Sequence, residues 1–241
     1  MAEALAALAS PLGGRATDVW IGASRGPESL TRLTVSWDPS EGVDARRPTR
    51  LTVEPLNGET QDPIGEMLSI VSASVVADSA ATVTFDKRPG TSFVLRFAAL
   101  GPNDEVIDRW TQPVTVPALD GDGLALSTLR VFRAQSAFEA RAIAAATDPA
   151  PSATRRFRQT DRVFVDVDCY ASGGATPMVS VHLLNGVGDT LVELPVTSPS
   201  DGRTRINLPV SSLAPGTYVL RFSARAGERV IQQRLAFLVT R

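Results

Sequence analysis

The segment Pro89-Gly-Thr-Ser-Phe-Val-Leu-Arg-Phe97 returns as Pro215-Gly-Thr-Tyr-Val-Leu-Arg-Phe222, with one extra residue, Ser92, in the first copy. The match sets Phe93 and Tyr218 125 residues apart. Val53…Leu56-Asn57-Gly58 matches Val181…Leu184-Asn185-Gly186 at 128, and Arg32-Leu33-Thr34-Val35 matches Arg162-Val163-Phe164-Val165 at 130. Three collinear anchors at nearly constant spacing point to two related domains in tandem. A chain of 241 residues then leaves about 110–120 for each, an ordinary domain size. We place an N-terminal extension with a short helix at 1–13, a first domain at 14–117, a linker at 118–125 and a second domain at 126–241.

Short, alternating, β-branched runs separated by turn residues dominate both halves. In the first they fall near 17–24, 30–37, 48–55, 67–76, 81–86, 91–100 and 105–116. In the second they fall near 128–133, 161–170, 176–184, 189–195, 203–208, 216–225 and 229–239. This spacing predicts an all-β chain of two tandem sandwiches of immunoglobulin or fibronectin type III kind. Alternation also assigns faces: Leu33, Val35 and Trp37 share one side of a strand, as do Phe93, Leu95, Phe97 and Ala99. One interior helix is expected near 137–146, opened by the S-x-x-E capping box Ser136-Ala-Phe-Glu139. Leu213-Ala-Pro-Gly-Thr-Tyr218 resembles the Pro-Gly corner of fibronectin type III domains, where an aromatic residue anchors the following strand.

Composition narrows the function classes. Apolar residues at 43% and charged residues at 21% describe a globular chain. The net charge of −2 supplies no global surplus of Lys and Arg for phosphate polymers, so nucleic acid is not an expected partner. Cys169 is alone, which excludes an intramolecular disulfide. No apolar run reaches the length of a membrane span. The apolar start Met1–Ser10 carries Glu3 where an export signal would carry Lys or Arg. It is expected to be a short helix stopped at Ser10-Pro11, and compartment stays open on these residues.

Several stretches resemble the C-terminal region of bacterial von Willebrand factor A-related proteins. They are Ala6-Ala-Leu-Ala-Ser-Pro-Leu12, Val35-Ser-Trp37-Asp-Pro39, Leu126-Ser-Thr-Leu-Arg-Val-Phe-Arg133, Gly173-Gly-Ala-Thr-Pro177 and Leu213–Val239. The resemblance implies an accessory β-rich tail of an exported protein. The A domain's own Asp-x-Ser-x-Ser metal loop does not occur, since Asp38-Pro-Ser40-Glu-Gly42 fails at its last position. No metal-dependent adhesion is carried over.

Candidate chemistry is sparse. His182 is the sole histidine and falls on the side of its strand opposite Val181 and Leu183, a position expected at the surface. Asp166 and Asp168 sit two apart on what alternation makes a solvated outer face. Paired carboxylates there do acid/base chemistry only when one is desolvated in a cleft. Asp120-Gly-Asp122-Gly begins like a calcium loop, but Leu124 and Val131 occupy places that need oxygen ligands. Arg155-Arg-Phe-Arg158 with Arg162 reads as an exposed loop or an edge strand blunted by charge. Cys169, in phase with Val163, Val165 and Val167, reads as core filler, and Trp37 as core. Trp20 and Trp110 take no clear face.

The expected function is a non-enzymatic protein-interaction or spacer module, with a protein partner and no catalytic, cofactor or metal residue assigned. A carbohydrate-binding or adhesion module is the alternative, favoured if Trp20 and Trp110 are exposed side by side. A hydrolase of unfamiliar type is the second, and it requires a cleft joining His182 to Asp166 and Asp168.

Overall fold

The computed structural model describes residues 15–40, 47–71, 82–121, 123–146, 148–172, 177–197 and 203–241. The N-terminal helix expected at 1–13, the later part of the strand expected at 67–76, and Asp122 lie outside the described residues. The chain divides into two compact units between Ala118 and Leu119.

The first domain contains β1 (Thr17–Arg25), β2 (Thr31–Pro39), β3 (Arg50–Leu56), β4 (Leu68–Val71), β5 (Thr82–Lys87), β6 (Ser92–Leu100) and β7 (Val106–Thr115). They form one sheet in the order β1-β2-β5 and a second in the order β4-β3-β6-β7, antiparallel throughout. This is the strand order of a fibronectin type III sandwich, so the chain is all-β in the expected way. Alternate residues are buried as the pattern requires: Leu33, Val35 and Trp37 on β2, and Phe93, Leu95, Phe97 and Ala99 on β6.

The second domain repeats the plan with additions. Its strands are β8 (Leu124–Leu126), β9 (Arg130–Ala134), β10 (Arg156–Arg158), β11 (Arg162–Ala171), β12 (Met178–Asn185), β13 (Thr190–Leu194), β14 (Arg203–Leu208), β15 (Gly216–Ala226) and β16 (Arg229–Thr240). One sheet runs β14-β11, with β8 and β9 sharing the far side of β11; the other runs β10-β16-β15-β12-β13. The last two residues of the stretch assigned to the linker are therefore already strand. Val163, Val165 and Val167 of β11 pack against Val181 and Leu183 of β12 and Leu220 and Phe222 of β15 in one core. That is the interior of a two-layer sandwich.

Equivalent residues of the two copies hold equivalent places. Val53 pairs with Phe97 on β3 and β6, and Val181 pairs with Phe222 on β12 and β15. Asn57 and Asn185 each leave their strand into a turn that their side-chain oxygen organises. Asn57 Oδ1 accepts from the backbone N–H of Glu59 at 2.8 Å, and Asn185 Oδ1 accepts from those of Gly188 and Asp189 at 2.9 Å. The repeat seen in the letters is a repeat of register.

Two additions set the second copy apart. Helix α1 (Ala137–Ala145) starts where the capping box puts it. Ser136 Oγ accepts from the Glu139 N–H at 3.1 Å, and the Glu139 carboxylate accepts from the Gln135 N–H at 2.6 Å. Strand β10 pairs parallel to β16 and drives Phe157 into the core, while Arg156 and Arg158 stay exposed. Arg155 binds the carbonyls of Ser152, Ala153 and Thr154 at 2.8, 3.2 and 2.9 Å. The arginine run is an edge strand with a buried anchor.

Candidate functional site

Alternation put Asp166 and Asp168 on an outer face, and they are there, but both are largely covered. Asp166 is fully buried and Asp168 is one-fifth exposed. Flanking strands supply the cover. Asp166 lies between Arg130 of β9 and Arg205 of β14 in register. Arg205 makes two bonds of 2.7 Å to the Asp166 carboxylate. Arg130 crosses diagonally to both oxygens of Asp168 at 2.8 and 2.9 Å, and Arg203 stands 3.8 Å from Asp166 and 3.7 Å from Asp168. Paired guanidinium contacts hold a carboxylate in one geometry. These groups tie β9, β11 and β14 together, and the expectation of a solvated pair is corrected: three arginines close over it.

His182 is half-buried rather than exposed, and its Nδ1 is buried with no hydrogen-bond partner among the described residues. It points away from Val181 and Leu183, out of the sandwich on the β12 side. Asp166 and Asp168 point out on the β11 side. Sheets in such a fold stack about 10 Å apart, and the valine–leucine core fills the space between them. His182 and the aspartates therefore share no cleft.

The tryptophans do not form a platform. Trp20 belongs to β1 and is buried, with its indole lying over Gly22, where any side chain would collide with the ring. A glycine two residues along a strand gives the aromatic ring a flat bed. Trp110 belongs to β7, in the other sheet. One face of it stacks on Phe97 at 5.0 Å and 16°, and the Arg15 guanidinium lies 4.6 Å over the ring. No pair of free coplanar indole faces exists for a sugar ring. Trp37 is buried as expected.

The remaining candidates take structural places. Cys169 is half-buried against the core, and desolvation raises its thiol pKa, which disfavours the reactive thiolate. Val131, at a ligand position of the suspected calcium loop, is wholly buried. Among the described residues no three His, Cys, Asp or Glu side chains gather as a metal site, and no helix is long and apolar enough to cross a membrane.

What the sequence pattern did not single out is the outer face of β12, β15 and β16. There His182 pairs with Arg221, and Arg221 pairs with Arg234. The signal was available in the repeat, because the same row of the first domain reads Glu54, Arg96, Thr111.

No known family model matches the chain, and no curated protein matches it in sequence. Among solved structures it is similar to a tetra-tandem repeat from the extending region of a large adhesion protein, at 11% identity and a TM-score of 0.28. That match covers 88% of this chain and 46% of the other, so the chain spans about half of that structure. Fibronectin(III)-like modules of Clostridium thermocellum CbhA match at 12% identity over 87% of this chain and 85% of theirs, with a TM-score of 0.26. A chimeric titin Z1Z2 matches at 10% identity over 95% and 98%, with a TM-score of 0.29. Likeness at these scores carries no argument about activity or partner. The fold assignment rests on strand order and register.

Proposed function

We propose that this chain is a non-enzymatic interaction or spacer module built from two sandwiches in tandem. The observation that supports it most directly is the closure of the Asp166–Asp168 pair by Arg130, Arg203 and Arg205. The residues with most chemical potential are spent on joining strands, and His182 opens onto the opposite side of the core. A rigid sandwich that presents outer faces and edge strands is suited to surface recognition. A screen of ester, glycoside, phosphate and peptide substrates is expected to show no turnover. Turnover that disappears in both His182→Ala and Asp166→Asn would overturn the reading.

The finer placement, in an exported or cell-surface bacterial protein, is supported by the resemblance of stretches such as Leu126–Arg133 and Leu213–Val239 to von Willebrand factor A-related proteins. An Asp-x-Ser-x-Ser domain encoded in frame upstream of Met1 supports it; an upstream frame encoding an unrelated cytosolic enzyme sinks it.

A further inference from the structure

The duplication supplies an internal control for one surface. In the first domain the outer face of β3, β6 and β7 carries the row Glu54–Arg96–Thr111. Arg96 donates to the Glu54 carboxylate, with Nε at 2.9 Å, so this row is neutralised. Two rows along, Arg50 pairs with Asp104. In the second domain the equivalent row is His182–Arg221–Arg234. The glutamate has become a histidine and the threonine a second arginine. Like charges directly opposite on a sheet oppose folding. Among the described residues neither Arg221 nor Arg234 has an acidic partner.

The rest of the open face is arranged around this row. Ser180 and Ser223 pair in the next row, beside Gln232, and form a floor of short side chains. Beyond them lies the row Met178–Arg225–Val230. Arg225 and Arg234 are exposed, and so are Met178 at 76% and Val230 at 54%. On the other side the row Leu184–Val219–Ala236 is buried and closes the face. What is left open is a shallow hydroxyl-floored strip, with arginines at both ends and two apolar side chains at its outer margin. Glu193, opposite His182 on β13, is the single acidic side chain in these rows.

We propose that this face of the second domain docks an extended acidic segment of a partner protein. Its carboxylates would meet Arg221, Arg225 and Arg234 across the serine floor, and its apolar side chains would cover Met178 and Val230. Charge complementarity selects the acidic partner. The strip offers no aromatic ring for base stacking, which sets it apart from a single-strand nucleic-acid platform, and the apolar margin fits a polypeptide better than a sulfated glycan. The proposal deepens the interaction-module reading and rests on it.

The test is fluorescence anisotropy on the full chain. The probe is a fluorescein-labelled peptide alternating Asp and Glu with Thr and Leu, with its Asn/Gln counterpart as the neutral control. We expect saturable, salt-sensitive binding of the acidic peptide alone. Arg221→Ser with Arg234→Thr is expected to weaken it about tenfold, and Arg109→Thr, an exposed arginine on β7, to leave it unchanged. Should the double variant fail to fold, Arg225→Ser at the sheet margin is expected to cost about threefold. Absence of saturable binding overturns the proposal, as does equal weakening by Arg109→Thr. A heparin oligosaccharide or oligothymidylate that binds more tightly than the peptide, and is lost in the same variants, overturns the acidic-protein assignment. None of these failures touches the module reading, which turnover in the substrate screen decides.

Discussion

The two domains solve the same corner differently. In the second, Tyr218 opens β15 and its hydroxyl donates to the Ala214 carbonyl at 2.9 Å, while its ring stacks on Phe237 at 5.7 Å. In the first, Phe93 has no hydroxyl to donate, and the extra Ser92 goes with a turn instead. Thr91 N–H donates to the Arg88 carbonyl at 3.2 Å, with Pro89 and Gly90 between them. Gly90 has φ +80°, the left-handed value that the third place of a type II turn requires and glycine tolerates best. The Gly90 N–H then donates to the Val116 carbonyl at 2.9 Å. One copy fixes the bend with a side chain and the other with backbone. The duplicated register leaves each copy free to change how a position is stabilised, provided the pairing survives.

The largest expected difference between the copies lies on their other sheets. Asp166 corresponds to Ser36 of β2, also buried, whose hydroxyl has no hydrogen-bond partner among the described residues. Asp166→Ala removes the buried carboxylate that Arg205 holds with two bonds and should destabilise the second domain by about 3–5 kcal/mol. Ser36→Ala should change the first domain by less than about 1 kcal/mol, in either direction. The chain allows each to be followed alone, because Trp20, Trp37 and Trp110 lie in the first domain and Tyr170 and Tyr218 in the second. Urea titration read by tryptophan emission and by tyrosine absorbance should therefore separate the two transitions. Equal effects on both domains would break the comparison.

Exchanging the corner aromatics comes next. Phe93 is 2% exposed, so Phe93→Tyr buries a hydroxyl that the turn does not need, at about 1–3 kcal/mol. Tyr218→Phe loses one bond to a carbonyl, about 1 kcal/mol. If Phe93→Tyr proves neutral, the two corners are more alike than their bonding suggests. Arg234→Thr recreates the first domain's residue and removes a like-charge contact. It should stabilise the second domain by about 0.2–1 kcal/mol, read as a higher urea midpoint, while weakening acidic-peptide binding.

The smallest effect is a pH dependence confined to the first domain. The Arg32 guanidinium, which binds both oxygens of Asp86 at 2.9 and 3.0 Å, holds the Asp86 carboxyl below its ordinary value. A lowered folded-state pKa means the stabilisation is fully present above the unfolded carboxylate's pKa of about 4. It is lost as pH falls through the folded value. The pair is exposed, so the change should stay below about 1 kcal/mol. Asp86→Asn should flatten that acid-limb slope in the tryptophan-detected midpoint; an unaltered slope would assign it to other carboxylates.

Much of the architecture was legible because a strand's alternation and a repeat are both local in the letters. Leu33, Val35, Trp37 and the Phe93–Ala99 set fell on their buried face from parity alone, and Ser136-x-x-Glu139 gave the helix start. Parity also placed Asp166 outward correctly, but it says nothing of what crosses from the neighbouring strands. Arg130 and Arg205 are 36 and 39 residues away, and their register depends on pairing that no short pattern encodes. Trp20 did leave a signal: Gly22 is two residues on, on the same face, where a ring can lie flat. Strands β8 and β10, with three residues each, are too short for alternation to register.

The parallel pairing of β10 with β16 has a mechanical consequence. Tension on the C-terminus pulls β16 along its own axis. Because β10 lies alongside in the same direction and is pinned by Phe157, its bonds are loaded together in sliding rather than opened one after another. The first domain has no described counterpart of β10 beside β7, so under a stretching load the second domain should be the later of the two to give way.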